Sequence, residues 1–204
     1  MKTAFAVLAL VLAAPALPAF AQAAPSAATA AQQQSASAFV DKLANEAFAI
    51  LRDKSITRPA AKAKFNTLLK ANFAVDEAGL RLIRTQRASL TSAQLSAYRA
   101  ALPDFIVNTY SDRLYDFATA KVTVVRSAPR GTRGDVDVYT KISDPKGGKP
   151  FDAIWAVKMA GPKPLISNVT VNGVNVSLTQ EADFKAYIEK NGFDALVDFM
   201  RKAK

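Results

Sequence analysis

Two carboxylates on one predicted strand are the first candidates for chemistry in this sequence. Asp135 and Asp137 stand two residues apart, and side chains at that spacing on a strand share a face. Two carboxyl groups perform acid–base chemistry when one is desolvated with a raised pKa and the other stays ionised. The opposite face of the same strand is the apolar one, so we expect both aspartates to point to water. The sequence therefore predicts no catalytic residue.

The amino-acid composition removes most other catalytic and metal-binding chemistry. The 204 residues include no cysteine and no histidine. Disulfides, thiolate nucleophiles, Cys/His zinc sites and a histidine base are therefore excluded. We expect neither a metal site nor a cofactor.

The first 23 residues have the pattern of a secretory signal peptide. Lys2 provides the positive start, residues 4–14 form a short apolar run, and small residues fit cleavage before Gln22 or Ala24. That run is too short to span a bilayer. Export without cysteine is typical of a bacterial periplasm, so we expect a soluble periplasmic protein.

Positive charge narrows the classes of partner. Lys and Arg number 27 against 17 Asp and Glu, a formal charge of +10. Outside the cytoplasm this excess indicates anionic lipid surfaces or acidic partners. The aromatic residues do not interleave with the basic ones as stacking platforms for bases would. We expect transient contact with a membrane surface, no nucleic-acid binding, and a monomer.

The elements that position these residues change period along the chain. Residues 24–36 are rich in Ala, Gln, Ser and Thr and are predicted to form a flexible leader. Residues 37–118 show apolar residues at helical spacing, with a kink or break expected at Pro103. Helical spacing returns over residues 178–204, after a capping box that starts at Ser177.

The intervening residues 119–177 alternate with a period of two. Four strands with short, breaker-rich turns predict an antiparallel meander. The order of helices, strands and helices is typical of an α+β fold, with helices packed against a four-stranded antiparallel sheet. We expect one domain over residues 37–204.

Apolar faces are in surplus on these elements. The long helix, the sheet and the last two helices each present one. Two arrangements fit this surplus: a closed core, or a core held open as a lipid pocket between the sheet and the helices. Periodicity does not separate them, because core residues and pocket-lining residues have the same spacing.

Short sequences spread along the chain resemble one protein family. They are Thr109-Tyr110, Arg113-Leu114-Tyr115, Thr140-Lys141-Ile142, Trp155, Asn168-Val169-Thr170-Val171-Asn172-Gly173-Val174, Thr179-Gln180-Glu181-Ala182-Asp183-Phe184 and Asn191-Gly192-Phe193. Their order resembles the MlaC family, also called the toluene-tolerance auxiliary component, which includes the hopanoid-associated HpnM branch. The resemblance covers residues 37–202, and the family's usual Asp in the fourth strand appears here as Asn168.

The resemblance implies a periplasmic phospholipid carrier and not an enzyme. Its fold would be an NTF2-like four-stranded sheet wrapped by helices, with acyl chains in the apolar cavity between them and the headgroup near the mouth. Such a carrier shuttles lipid between an outer-membrane lipoprotein complex and an inner-membrane ABC transporter with an MCE-domain subunit, and so serves outer-membrane lipid asymmetry. Phospholipid would then be the cargo rather than a cofactor.

We expect the pocket to be lined by residues that share the inward phase of the long helix and the sheet. They are Phe105, Tyr110, Leu114, Val138, Trp155, Val157 and Val169. Three alternatives stay open: a closed-core adaptor of a membrane transport complex, a hopanoid-type carrier, and a hydrolase that uses the two aspartates of the second strand.

Overall fold

The structure, a computed structural model, describes residues 26–203 except for the side chains of Asp112 and Arg113. The predicted signal peptide of residues 1–23, with its two cleavage positions, lies outside the described residues. Within them, helices precede a sheet and two further helices follow it. None of the helices described there has the length and apolar content needed to cross a bilayer.

Three of the first helices begin after residues whose side chains cap them. Thr29, Thr57 and Thr91 each accept a hydrogen bond from a backbone N–H of the first turn. The bounds are α1 Ala30–Arg52, α2 Arg58–Asn72, α3 Val75–Leu82, a short 3-10 helix Arg87–Ser89, α4 Ser92–Tyr115, α5 Val176–Asn191 and α6 Phe193–Lys202.

Helix α1 begins inside the segment that composition predicted to be a flexible leader. Its start at Ala30 replaces the expected start near residue 37. Thr29 and Gln32 form a capping box, and Ala28 and Ala36 are buried in the core beneath the sheet. Alanine and glutamine are strong helix formers, so a composition typical of a linker becomes helical once a cap and a surface to pack against are present.

Helix α4 runs without a break through Pro103, where the sequence predicted a kink or break. Proline removes the hydrogen bond to the carbonyl of Arg99. Buried residues on both sides, Leu102 and Phe105, hold the helix in place through side-chain packing. Arg99 itself is an exposed residue.

The sheet is an antiparallel meander in the order β1-β2-β3-β4-β5. The strands are β1 Val122–Arg130, β2 Asp135–Ile142, β3 Phe151–Lys158, β4 Leu165–Val171 and β5 Val174–Asn175. The α+β class with an antiparallel sheet is confirmed, while the NTF2-like character stays a prediction.

The prediction of four strands is wrong because a short hairpin adds a fifth. Asn172 and Gly173 both have positive φ, 47° and 81°, as a two-residue hairpin turn requires. Helix α5 consequently starts earlier than expected. Its cap is Asn175, which accepts from the Leu178 N–H, and not Ser177.

Buried side chains form three clusters on different sides of the fold. The helical cluster joins α4 to α5 and α6 around Tyr98, Phe105 and Phe184. The sheet cluster packs α1 on the sheet and includes Val138 and Val157. A third, smaller cluster joins α1, α2 and α4. Apolar space remains where these clusters meet.

Tyr98 is the most polar large side chain in the helical cluster. Its hydroxyl donates to the Gly79 carbonyl of α3 over 2.9 Å, and its ring meets Phe184 edge-on at 6.3 Å between centroids. Burial raises the pKa of Tyr98 above its ordinary value of 10.0. The neutral phenol is therefore the form that the folded chain stabilises.

Replacing Tyr98 with Phe tests this buried hydrogen bond. At pH 7 we expect the free energy of unfolding to fall by about 1 kcal/mol, since the Gly79 carbonyl loses its donor. Because the folded pKa is raised, the stability contributed by Tyr98 is fully present below pH 10 and is lost above it. The difference in free energy of unfolding between the wild type and Tyr98→Phe should therefore be smaller at about pH 11 than at pH 7.

Urea unfolding of both proteins at the two pH values measures this, with Tyr187→Phe as the matched control. Tyr187 stacks on Phe199, and its hydroxyl makes no hydrogen bond within the part of the chain described. An equal deficit at both pH values would contradict the assignment.

Candidate functional site

An apolar cavity lies between the sheet and the helices and has two adjoining chambers. The first chamber has a volume of about 130 Å³ and is lined by residues of α2, α3, α4, α5 and β4. Its wall includes Val75 and Ala78 of α3, Tyr110 of α4, Val169 of β4 and Val176 of α5. Helices and strand thus line a mostly apolar space.

The second chamber has a volume of about 140 Å³ and lies closer to α1. Leu43, Phe65 and Trp155 are among its lining residues. Three half-buried side chains line both chambers and form the partition between them: Leu69, Phe73 and Ile106. The two chambers are therefore neighbours across these three side chains.

A polar cleft of about 430 Å³ adjoins the first chamber, and we call it the mouth cleft. Four residues line both the chamber and the cleft: Leu82, Ser167, Asn168 and Ser177. The cavity therefore changes from apolar to polar within the width of a few side chains, on the way from the interior to the surface.

Basic side chains outnumber acidic ones in the mouth cleft. The basic residues are Arg81, Arg84, Arg130, Arg133 and Lys158, and the acidic ones are Glu77, Asp135 and Glu181. Lys158 donates to Glu77 over 2.6 Å, and this hydrogen bond lowers the pKa of the Glu77 carboxyl. Arg84 pairs with Glu181 at 2.5 Å. The excess of basic side chains leaves the cleft positively charged.

Asn168 carries an unsatisfied polar atom at the boundary between chamber and cleft. Its side-chain Oδ1 is buried and has no hydrogen-bond partner among the described residues. An unpaired buried polar atom costs about 1–3 kcal/mol. An N–H or O–H donor of a bound molecule at this boundary would remove that cost.

The structure places three of the seven predicted lining residues in the cavity wall. Tyr110 and Val169 line the first chamber and Trp155 lines the second. The other four lie elsewhere: Phe105 in the helical cluster, Val138 and Val157 in the sheet cluster, and Leu114 at the surface with 41% exposed.

The geometry of α4 explains these differences. The helix is packed on several sides. Its buried residues therefore face different parts of the interior, and only some of them face the cavity. Phe105 faces the aromatic rings of α5 and α6, whereas Tyr110, about 140° further round the helix, reaches Gln180 with its hydroxyl at 3.1 Å. Leu114 lies in the last turn, beyond the residues that cover the cavity.

The partition residues were missing from the predicted site. Ile106 and Leu69 belong to apolar stripes that the sequence shows but assigns only to a core. Phe73 follows the end of α2 and bridges to Ile166 of β4, a contact between distant parts of the chain. No spacing rule connects those two positions, so only the folded chain identifies Phe73.

The paired aspartates are engaged in contacts that stabilise the sheet. Arg130 Nη1 donates to both carboxylate oxygens of Asp137, at 2.9 and 3.2 Å. An oxygen of Asp135 accepts from the Met159 N–H at 3.2 Å. Across residues 26–203, no group of three or more acidic side chains is placed to hold a metal ion.

Trp155 is held in the cavity wall by its neighbour on β2. The indole N–H donates to the Thr140 hydroxyl at 3.0 Å, and that hydroxyl donates to the Ala153 carbonyl at 3.3 Å. Thr140 is 1% exposed, so water does not replace this partner. The hydrogen bond fixes the ring against the second chamber.

Replacing Thr140 with Val should release that ring. We expect the free energy of unfolding to fall by about 1–3 kcal/mol, because the indole N–H loses its acceptor in a half-buried position. The emission maximum of the chain's one tryptophan should shift at the same time. Thr140→Ser, which keeps the hydroxyl, is the control. Equal losses in the two variants would show that packing, not the hydrogen bond, holds the ring.

Among solved structures, the fold is similar to a phospholipid-binding protein from Ralstonia solanacearum, determined in complex with a phospholipid. The TM-score is 0.69 at 17% sequence identity, over 83% of this chain and 96% of that one. The family described as MlaC protein matches residues 41–202, which confirms the family indicated by the short sequences along the chain. This chain belongs to the MlaC family.

Proposed function

We propose that this chain is a soluble periplasmic phospholipid carrier. The observation that carries the proposal is that the first apolar chamber directly adjoins a basic cleft, with four lining residues in common. A phospholipid has the same polarity profile, with alkyl chains at one end and a phosphate at the other. The function follows from matching these two profiles.

The chambers supply the environment that acyl chains need. Burying each CH₂ group is worth about 0.8 kcal/mol, so a chain of ~15 such groups costs on the order of 12 kcal/mol to expose to water. Aliphatic and aromatic side chains of α2, α4 and the sheet line both chambers. A lipid held there would cross an aqueous compartment without that cost.

The mouth cleft supplies partners for the polar end of the lipid. Guanidinium groups bind phosphate through paired hydrogen bonds, and four arginines line the cleft. The carboxamide of Asn168 lies between chamber and cleft, and its buried Oδ1 lacks a partner among residues 26–203. This oxygen accepts hydrogen bonds, so its partner would be a hydroxyl or amine of the lipid and not an ester or phosphate oxygen. The arginines of the cleft are the groups that suit the phosphate diester.

Family membership and the structural relative support the same reading. The relative from Ralstonia solanacearum was determined in complex with a phospholipid. We further propose the route that the family resemblance implies, which is transfer between an outer-membrane lipoprotein complex and an inner-membrane ABC transporter with an MCE-domain subunit. The predicted signal peptide would export the chain to the periplasm, where this transfer takes place. The proposal includes no catalytic step and no cofactor. Phospholipid is the cargo.

The narrowness of the chambers favours one rival, the closed-core adaptor. Ligand sites have volumes of about 300–1,000 Å³, and the chambers have about 130 and 140 Å³. To hold an alkyl chain, the partition of Leu69, Phe73 and Ile106 must move and join them. All three side chains are half-buried. They are therefore less confined than the fully buried residues of a closed core would be.

A hopanoid-type carrier fits the cavity less well than a phospholipid carrier. A hopanoid is a rigid ring system, and two small chambers meeting at a partition suit flexible chains that bend around it. In addition, a lipid without an anionic group offers nothing for the basic cleft next to the first chamber to bind.

Filling the first chamber tests the proposal directly. Ala78 lines that chamber, so Ala78→Phe should occupy the space of the alkyl chains. We expect native mass spectrometry of the wild-type protein, purified from bacterial cells, to show about one phospholipid per chain, and Ala78→Phe to reduce that occupancy at least fivefold. Solvent extraction identifies the lipid.

Ala186→Phe is the matched control, since Ala186 is an exposed residue of α5 and receives the same change. It should keep wild-type occupancy. A bare polypeptide mass for the wild type, with no uptake from added phospholipid vesicles, would reject the carrier and support the closed-core adaptor. Extraction of a neutral hopanoid would reject the phosphate-binding part.

A further inference from the structure

Two apolar side chains stand out into solvent next to the mouth cleft. Leu178 and Val174 are the most exposed large apolar side chains among the described residues, at 58% and 57%. Leu178 itself lines the cleft, and Val174 directly precedes Asn175, which also lines it. The next residue, Val176, lines the first chamber. One short segment therefore joins the cavity wall to an exposed apolar rim.

Basic side chains on the same cleft are available to solvent. Arg84 remains 68% exposed although it pairs with Glu181. Arg133, in the turn between β1 and β2, is exposed and has no ion-pair partner among residues 26–203. Its charge contributes to the lowered pKa of Glu77, after the closer Lys158 and Arg81. The cleft thus offers positive charge outward.

We propose that the rim of the mouth cleft, formed by Val174, Leu178 and Arg133, docks on the surface of an anionic lipid bilayer. Exposed apolar side chains next to basic ones are the combination that binds bilayer interfaces: the apolar groups enter the acyl boundary and the cations meet the phosphates. Scattered single apolar residues on a surface need no such explanation, but here two lie four residues apart beside a basic cleft.

The position of the rim distinguishes a bilayer from other occupants. Leu178 and Arg133 line the mouth cleft, which adjoins the first chamber. Docking there would bring the first chamber next to the bilayer surface, where the membrane complexes of the proposed route lie. The net charge of the whole chain, +10, adds long-range attraction to an anionic surface. An acidic protein surface would account for the positive charge alone, whereas a bilayer interface accounts for both the charge and the two exposed apolar side chains.

This inference rests on the proposed function, because docking at the mouth cleft would serve lipid transfer only if the cavity binds lipid. The two are separable by experiment. Docking is measured as binding to vesicles, and carriage is measured as lipid occupancy by native mass spectrometry. The chamber-filling variant Ala78→Phe should lose occupancy and still bind vesicles, since Ala78 lies in the chamber wall and not on the rim.

Vesicle co-sedimentation of the mature protein tests the docking surface. We expect binding to vesicles of phosphatidylcholine with phosphatidylglycerol, weak binding to phosphatidylcholine alone, and loss of binding at high salt. Arg133→Gln should weaken binding about fivefold, which corresponds to about 1 kcal/mol for one basic residue at the interface. The double variant Val174→Thr and Leu178→Gln should weaken it at least as much.

Matched controls separate the rim from general charge and hydrophobicity. Lys54→Gln removes one exposed positive charge in the loop between α1 and α2, and Val125→Thr changes a 56% exposed valine of β1. Both should bind vesicles like the wild type. Controls that lose as much as the rim variants, or rim variants that bind like the wild type, would overturn the proposal. Normal lipid occupancy without any vesicle binding would overturn docking alone and favour an acidic protein partner.

Discussion

The helices and the sheet are joined at one corner by polar contacts, and the cavity depends on that joint. The Ala74 N–H donates to the Ile166 carbonyl at 2.8 Å, Arg81 donates to the Ser167 carbonyl at 2.5 Å, and Lys158 donates to Glu77 at 2.6 Å. These bonds attach the end of α2 and the whole of α3 to β4 and its neighbour. These hydrogen bonds hold the two layers together at one edge. The side chains between the layers therefore need not interlock, and apolar space remains between the sheet and the helices.

The same joint explains why the cavity changes polarity so abruptly. Main-chain carbonyls of β4 bind the arginine and the backbone of the helical layer on the outer side, while Val169 and Ile166 face the chamber. Polar groups needed to hold the layers together are therefore the groups that form the mouth cleft. The two aspartates of β2 bind Arg130 and the Met159 N–H, contacts made within the sheet and its edge.

Local rules failed where a segment's environment, rather than its own residues, decided the outcome. The alanine-rich start of α1 resembles a linker, yet it is helical because the sheet cluster buries Ala28 and Ala36. Pro103 predicts an interruption, yet packing on both sides of it keeps α4 continuous. The strand count was short by one because β5 is a two-residue strand, which a period of two cannot reveal.

By itself, the sequence determined the α+β class, the meander, the family and the absence of Cys and His chemistry, because periodicity, turn residues and composition are properties of neighbouring positions. Only the tertiary structure decided which apolar residues enclose space and which fill it. Tyr110, Trp155 and Val169 line chambers, while Phe105, Val138 and Val157 are packed core. Both groups are hydrophobic for the same reason, removal from water. The difference between them is whether another part of the chain approaches, and that depends on contacts such as the one between Phe73 and Ile166, made by residues far apart in sequence.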